Sequence, residues 1–267
     1  MVTSVLSDDQ LQAVHQLLDR VAERQRQDFG HIASDVKPDG SLITDCDRWS
    51  DATLLSGLAE LAPGEGVLSE EGSQTVPESS AFWVVDPLDG TTNFAAGIPY
   101  WAISVARFVD GRPCEVFLDV PSLGQRIVAL RGRGATRNGE PLTAETRRAA
   151  TSACVSLCSR SIRVLQRKPD QPFPGKIRLL GVASLNLLSV AMGQTIAALE
   201  ATPKIWDLAA AWLVLDELGC PIRWLDADPS TLQAGDDLSQ VSYPMLAAGS
   251  WAQLAKFLPW GEALLQG

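Results

Sequence analysis

The chain predicts a mixed α/β fold, and three observations point to it. Hydrophobic residues make up 46% of the 267 residues, which is enough for a sizeable core. The middle of the chain is rich in short strands with short connections. Strand and helix patterns alternate in the second half, as in layered α/β proteins. A boundary near residue 146 predicts two subdomains, 1–146 and 147–267.

The first half begins with a strong helix signal. Ser7-Asp8-Asp9-Gln10 has the form of a capping box, and apolar residues follow at helical spacing, so a helix is predicted from about Ser7 to Phe29. A second helix is predicted from about Asp47 to Leu61, followed by a short strand at Val67-Leu68. The remaining predictions are strands at Phe82–Val85, Trp101–Val109, Cys114–Val120 and Arg126–Leu130, and a tight turn at Asn138-Gly139.

The second half of the chain shows both the two-residue period of strands and the 3.6-residue period of helices. Strands are predicted at Ala153–Leu157, Ile177–Leu180, Thr195–Leu199, Ile222–Leu225 and Met245–Ala248. Helices are predicted at Val182–Met192, at Asp207–Leu218 and at Ala252–Leu265, the last interrupted or bent near Pro259. The uncharged stretch Leu179–Leu199 is long enough to span a bilayer, but its polar residues favour a buried helix followed by a strand.

Charge and cysteine usage limit the class of protein. There are 22 Lys and Arg against 32 Asp and Glu, a net charge of −10, which argues against binding nucleic acid or an anionic membrane. Five irregularly spaced cysteines and no signal-peptide pattern predict a cytosolic location. The two histidines, His15 and His31, fit surface or packing roles and leave little room for zinc or histidine catalysis.

The most informative segment is acidic and follows an apolar strand. Asp86 and Asp89 are delivered at the carboxyl end of that strand, where ligands of α/β sheets bind. Pro87 and Gly90 predict a tight turn, and Gly90-Thr91-Thr92 offers N–H groups and hydroxyls for a phosphate. Oxygen ligands without His or Cys suit Mg²⁺. Metal-assisted phosphate chemistry is therefore predicted.

The segment Asp86 to Phe94 resembles the signature of the inositol monophosphatase family of Mg²⁺-dependent, lithium-sensitive phosphatases. Three further matches occur in the family's order: Ile43-Thr44 with Asp47, Ser69-Glu70-Glu71, and Trp206-Asp207-Leu208-Ala209-Ala210. The likeness extends from the first helix to the last. It implies a layered αβαβα sandwich of the sugar-phosphatase type, with metal and phosphate sites in 1–146 completed by 147–267, and a homodimer.

The resemblance also implies a mechanism. Asp86 bridges two Mg²⁺ ions, Glu70 and the Leu88 carbonyl complete the first ion, Asp89 and Asp207 complete the second, and a third ion lies near Glu70. Mn²⁺ is an alternative metal. Glu70 and Thr91 orient the attacking water, and Asp47 accepts a hydrogen bond from Thr91. No covalent phosphoenzyme forms.

Substrate contacts follow from the same resemblance. The backbone of Gly90 and Thr91 holds the phosphate, while Asp89, Ala183, Glu200 and Asp207 match positions that contact substrate hydroxyl groups. The sequence leaves two alternatives for Glu71, which is either an acid behind the metal ligands or an exposed residue.

The chain departs from the family in three places. Ser69 replaces a usual Gly, Leu199 stands where many members have an aromatic residue, and the segment 149–181 is about ten residues short. The last two departures leave substrate and assembly open.

Other phosphatase patterns occur but fit less well. Cys154 and Arg160 have the spacing of a cysteine-nucleophile phosphatase, but the residues between them contain no Gly and alternate like a strand. Asp226 and Asp228 resemble an aspartyl-phosphate motif with too little chain after it. Gly132-Arg133-Gly134 predicts a hairpin turn.

The predicted function is Mg²⁺-dependent hydrolysis of a small polyol phosphate, inositol monophosphate first. Within the family the alternatives are 3'(2'),5'-bisphosphate nucleotidase, histidinol phosphatase and fructose-1,6-bisphosphatase activity. Outside catalysis, the alternative is a regulatory protein that binds a metal or a phosphometabolite.

Overall fold

The computed structural model describes residues 5–38, 40–143 and 153–265. Within these ranges the chain forms α-helices α1 Asp8–Asp28, α2 Asp45–Leu61, α3 Thr91–Ala95, α4 Arg163–Arg167, α5 Ala183–Ala191, α6 Ile205–Glu217 and α7 Trp251–Glu262. The strands are β1 Ser34–Val36, β2 Leu42–Thr44, β3 Gly66–Ser69, β4 Ala81–Asp89, β5 Ala102–Val109, β6 Arg112–Val120, β7 Gln125–Leu130, β8 Gly134–Arg137, β9 Glu140–Leu142, β10 Cys154–Leu157, β11 Lys176–Arg178, β12 Ala197–Glu200, β13 Ile222–Trp224 and β14 Met245–Ala248.

Two main sheets organise these elements. The first has the order β3-β4-β5-β6-β7-β8-β9 and is antiparallel except for the parallel pair β3 and β4. The second has the order β11-β10-β12-β14-β13, and β11, β10 and β12 run parallel. The carboxyl ends of these three parallel strands therefore meet at one edge of the second sheet.

Hydrophobic packing stacks the chain in five layers. Trp83 and Val85 of β4 pack against α1 and α2, whereas their neighbours Phe82 and Val84 face α5 and α6. This alternation follows from the two-residue period of a strand. Helices α5 and α6 lie between the two sheets, and the far face of the second sheet packs against α7 through Phe257. The predicted α/β class and the αβαβα sandwich are confirmed.

Most predicted elements are present, with shifted ends. The Ser7 capping box at α1 is complete, and a hairpin turn at Asn138 joins β8 and β9. An interruption or a bend was predicted near Pro259; helix α7 continues through this residue, so the interruption is wrong and the bend stays a prediction. The short strand β1 and the helices α3 and α4 were not predicted, because they are too short to show a period.

The two-subdomain division stays a prediction. Its boundary at 146/147 lies outside the described residues, and the central hydrophobic core draws side chains from both halves of the chain. Among the described residues, no helix has the length and hydrophobicity needed to cross a membrane. All five cysteines are free thiols, and the cytosolic location stays a prediction.

Candidate active site

A β-bulge in β4 places two carboxylates on one side of the first sheet. Asp86 pairs with Ser104 and Asp89 pairs with Ala102, so three steps along β4 match two steps along β5. Residues three apart in a regular strand face opposite sides, and the extra residue at the bulge restores a common side. The prediction that the strand ends at Val85 before a tight turn is wrong, because β4 continues to Asp89.

A third carboxylate joins this pair from the first turn of α6. One oxygen each of Asp86, Asp89 and Asp207 lies within 4.8 Å of the other two. Asp207 also caps its own helix, because its Oδ2 accepts a hydrogen bond from the Lys204 N–H at 2.7 Å. Asp86 and Asp89 are buried, and Asp207 is partly exposed. The structure therefore gathers three of the predicted metal ligands into one group, which we call the acidic triad.

Thr91 lies directly after the bulge and is held by Asp47. Its Oγ1 donates a hydrogen bond to Asp47 Oδ1 at 2.7 Å, and the Leu88 carbonyl lies 3.2 Å from the same oxygen. One hydroxyl carries a single proton, so the shorter bond to the carboxylate takes it and leaves the Thr91 lone pairs free to accept. Asp47 is fixed in turn, because its Oδ2 caps α2 at Thr44. The predicted pair of Thr91 and Asp47 is present.

Gly90 makes the approach to Thr91 possible. Its φ of +102° lies in the left-handed region that favours glycine. A Cβ atom there would lie 2.7 Å from Val182 Cγ2. The chain therefore needs a residue without a side chain between β4 and α3.

Glu70 is paired with a lysine that the sequence reasoning did not single out. Lys37 Nζ lies 3.0 Å from Glu70 Oε1 and 2.6 Å from Glu71 Oε1. Glu70 is not part of the acidic triad, and its predicted role as a metal ligand stays a prediction. Glu71 is partly buried, so the alternative of an exposed residue does not hold.

The second sheet contributes a buried acid at the end of β12. Glu200 is 2% exposed, and its Oε1 accepts a hydrogen bond from Asn186 Nδ2 at 2.8 Å. The first turn of α5, which begins at Ala183, contacts the acidic triad, because the Ser184 N–H donates to Asp89 Oδ2 at 2.7 Å.

Burial and mutual repulsion raise the pKa of the site carboxyls. Desolvation is the main cause of the raised pKa of Asp86 and Asp207, and the neighbouring negative charges add to it. Burial likewise raises the pKa of Asp89 and of Glu70, with hydrogen bonds from Ser184 and the charge of Lys37 acting in the opposite direction.

Burial also raises the pKa of two acids outside the acidic triad, Glu200 and Glu71. Burial raises the pKa of Glu200 to about 8, although the Asn186 hydrogen bond favours its ionised form. Burial and the charge of Glu70 raise the pKa of Glu71 to about 7. Burial lowers the pKa of Lys37, but Glu70 and Glu71 outweigh it and the net shift is upward. The site has more negative charge than its own cations neutralise.

The acidic triad fits a hard divalent cation. Its donors are carboxylate oxygens alone, the ligands that Mg²⁺ prefers. Asp86 Oδ2 is buried and has no hydrogen-bond partner among the described residues. A buried charged oxygen without a partner is costly, and a bound cation would remove that cost.

The rival phosphatase patterns do not form sites. Cys154 begins β10 and is buried, while Arg160 is exposed and donates to Thr202 Oγ1 at 2.7 Å. Asp228 accepts a hydrogen bond from the Ser230 N–H and begins a short 3₁₀ helix. Gly132 lies in the hairpin turn between β7 and β8.

Leu199, one of the positions that differ from the family pattern, lies in the hydrophobic core. Leu199 is 2% exposed and packs in the cluster that contains Phe257 of α7, on the face of β12 opposite Glu200. Its residue type therefore does not line the pocket beside Glu200. Part of the shortened segment, 149–152, lies outside the described residues.

A triad of carboxylates beside an oriented threonine hydroxyl, in an αβαβα sandwich, is the arrangement of a metal-dependent phosphatase. A sequence model of the inositol monophosphatase family matches residues 3–254. The chain belongs to this family, whose members hydrolyse phosphomonoesters, and it is a phosphoric monoester hydrolase of that family.

Individual relatives agree with this assignment. Histidinol-phosphatase of Mycobacterium tuberculosis is 33% identical over 235 residues, which cover 83% of this chain and 89% of the relative. Inositol-1-monophosphatase of Rhizobium meliloti is 30% identical and the match covers 82% and 85% of the two chains.

Solved structures share the fold. Staphylococcal inositol monophosphatase-1, soaked in 100 mM LiCl, superposes with a TM-score of 0.79 at 23% identity, covering 98% of this chain and 97% of the other. An IMPase/NADP phosphatase complexed with Mg²⁺ and phosphate superposes with a TM-score of 0.77 at 23% identity, covering 96% and 95%. The family is metal-dependent and acts on small phosphate substrates.

Proposed function

We propose that the chain hydrolyses the phosphate ester of a small polyol, inositol monophosphate first, by direct attack of water at phosphorus. The acidic triad carries this proposal, because it gathers three oxygen ligands, and the Thr91 hydroxyl, two residues after Asp89, is held by Asp47. Asp86, Asp89, Asp207, Glu70 and the Leu88 carbonyl would hold two or three Mg²⁺ ions, with Mn²⁺ as the alternative. Bound there, a divalent cation supplies positive charge to the phosphoryl oxygens and acidifies water.

The chain's own residues orient the attacking water. Because the Thr91 proton is directed at Asp47, Thr91 Oγ1 accepts a hydrogen bond from the water and aligns it with phosphorus. Glu70 takes the water's proton as the new P–O bond forms. The ester P–O bond breaks, the leaving alkoxide takes a proton from solvent while Glu70 returns its proton to solvent, and inorganic phosphate and the alcohol are released.

Other groups hold the substrate. The N–H groups of Gly90 and Thr91 donate to the phosphate oxygens at the start of α3. Glu200, at the end of β12, accepts hydrogen bonds from the hydroxyl groups of the alcohol. Ala183 and the free lone pairs of Asp89 border the space between these two ends.

Histidinol phosphate is a second candidate substrate. The 33% identity to the histidinol-phosphatase of Mycobacterium tuberculosis favours it. In this alternative Glu200 pairs with a cationic amine of the substrate, whereas with inositol monophosphate it accepts neutral hydroxyl groups. Phosphate release from both compounds therefore separates the two candidates.

The same proposal includes a homodimer. Asn93 Nδ2 donates to the carbonyls of Tyr100 and Leu180, at 2.9 Å and 2.8 Å, and so joins two apolar loops. Ile98, Leu179 and Leu180 are 49%, 48% and 39% exposed there. An exposed apolar patch of this kind is typical of a protein interface. We call Ile98, Leu179 and Leu180 the apolar patch.

Phosphate release with and without Mg²⁺ tests the enzymatic proposal. The panel is inositol 1-phosphate, histidinol phosphate, fructose-1,6-bisphosphate and adenosine 3',5'-bisphosphate, each assayed after EDTA treatment and after Mg²⁺ is restored. We expect hydrolysis only with the metal, and the fastest hydrolysis with inositol 1-phosphate. Metal-independent release would contradict the mechanism, and preference for either bisphosphate would contradict the substrate assignment. Li⁺ inhibition is expected in the same assay.

A further inference from the structure

Helix α5 contacts both ends of the site. At its N-terminal turn, the Ser184 N–H donates to Asp89 Oδ2 at 2.7 Å. Two residues later, Asn186 Nδ2 donates to Glu200 Oε1 at 2.8 Å. One short helix thus holds a member of the acidic triad and the buried acid of the second sheet. The separation between these two carboxyl groups is therefore set by α5.

Asn186 is an unusual residue for its surroundings. It is fully buried, and the helix residues on either side of it, Leu185 and Leu187, belong to the central hydrophobic core. Its Oδ1 is buried without a hydrogen-bond partner among the described residues. A buried amide whose oxygen has no partner is costly, and a leucine of similar branched shape would avoid that cost. The bond to Glu200 is what the amide provides.

The amide determines how Glu200 is presented. Glu200 is 2% exposed, so its carboxyl group depends on protein donors for its orientation. Asn186 engages Oε1 and favours the ionised form, which is the form that accepts hydrogen bonds with all its lone pairs.

We propose that Asn186 is a positioning residue for substrate selectivity, which holds Glu200 at a fixed distance from Asp89 through helix α5. This inference rests on the proposed function, because it needs Glu200 to contact the alcohol part of the substrate. The phosphate is bound at the acidic triad and the alcohol at Glu200. Loss of the amide therefore weakens binding of the alcohol and leaves the phosphate end intact.

The test compares Asn186→Leu and Asn186→Ala with the unaltered protein on its best substrate from the phosphate-release panel. Both variants lose the Nδ2 donor to Glu200. Alanine is included because its smaller side chain should allow folding if leucine does not. We expect KM to rise at least tenfold while kcat changes less than about threefold. The Ki of inorganic phosphate, which has no alcohol part, stays within twofold in both variants.

A double variant separates positioning from general damage. In Glu200→Ala the oxygen that Asn186 holds is already lost, so adding Asn186→Ala should raise KM by less than twofold further. An equal loss in KM, kcat and phosphate Ki, or additive effects in the double variant, would overturn the inference. If the unaltered protein hydrolyses no compound of the panel, the proposed function fails instead. If it does hydrolyse one and the Asn186 variants keep its KM, only this inference fails.

Discussion

Thr91 and Asp47 are 44 residues apart in the sequence, and the hydroxyl of the first donates to the carboxylate of the second at 2.7 Å. This bond connects the start of α3, just after the bulged strand β4, to the first turn of α2. It directs the Thr91 proton at Asp47 and leaves the oxygen able to accept. In the proposed mechanism, the pair would fix the direction from which water approaches the phosphate.

Removal of the Thr91 hydroxyl should reduce turnover strongly. Thr91→Val keeps the shape of the side chain and loses the acceptor, so we expect kcat to fall by about 10²- to 10⁴-fold, the usual range for a lost proton-transfer or orienting group. The matched control is Thr91→Ser, which keeps the oxygen and should stay within about tenfold of the unaltered protein. A Thr91→Val variant with a nearly normal kcat would exclude this role.

A side chain at position 90 should damage the site by two separable effects. Gly90→Ala meets both the positive φ of +102° and the contact of 2.7 Å with Val182. Gly64→Ala is the control, because Gly64 has a φ of +94° and a Cβ atom added there would have no neighbour within 4 Å. From urea unfolding we expect about 1 kcal/mol of destabilisation at position 64 and about 2–4 kcal/mol at position 90.

Only the Gly90 variant should also lose activity, since Gly90 precedes Thr91 and position 64 is remote from the acidic triad. Equal destabilisation of Gly90→Ala and Gly64→Ala would show that Val182 moves away from the added Cβ atom at no cost in stability.

The metal-free protein should be less stable at alkaline pH. Burial raises the pKa of Glu200 to about 8 and that of Glu71 to about 7, whereas an unfolded chain titrates its glutamates near ~4.3. Between these values the folded chain holds protons that the unfolded chain has released. The free energy of unfolding therefore falls as the pH rises from about 4.5 to about 8. We expect a lower Tm in EDTA at about pH 8.5 than at about pH 6.

Glu200→Gln provides the control for that pH dependence. Glutamine has no proton to release, so the fall in Tm should become smaller in the variant while its Tm at about pH 6 changes little. A pH dependence identical to that of the unaltered protein would show that Glu200 does not titrate in this range.

The apolar patch should hold two copies of the chain together. Light scattering of the purified protein should give twice the chain mass of 28.7 kDa. Ile98→Lys places a charge in the patch and should give the monomer mass. Leu123→Lys is the control, because Leu123 is 52% exposed and lies in the 3₁₀ turn after β6, outside the apolar patch as defined. A monomeric unaltered protein, or a dimer that survives Ile98→Lys, would contradict the assignment.

The sequence predicted the acids of the site but not how they come together. Asp86, Asp89 and Asp207 belong to recognisable motifs, and in the structure their carboxylate oxygens lie within 4.8 Å of one another. The bulge was missed because Pro87 and Gly90 indicate a turn as readily as an irregular strand. Lys37 and Asn186 were missed because their roles depend on contacts across 33 and 14 residues of sequence, and nothing in their local sequence marks them.

Long elements were predicted better than short ones. The capping box and apolar spacing identified α1 within one residue at each end. By contrast, β1 consists of three exposed residues, and its pairing with β2 leaves no hydrophobic pattern in the sequence. Its formation depends on the neighbouring strand.

The central claim is that the acidic triad is a metal site whose charges cost stability until a cation binds. The most direct measurement is the Tm of Asp86→Asn beside the unaltered protein and the exposed control Asp226→Asn, in EDTA and in Mg²⁺. We expect Asp86→Asn to be more stable than the other two in EDTA, because it loses a buried carboxylate with an unpaired oxygen. In Mg²⁺ the Tm of the other two should rise, while Asp86→Asn gains little and releases no phosphate. An Asp86→Asn variant that is destabilised in EDTA, or stabilised by Mg²⁺ as much as the unaltered protein, would contradict the account.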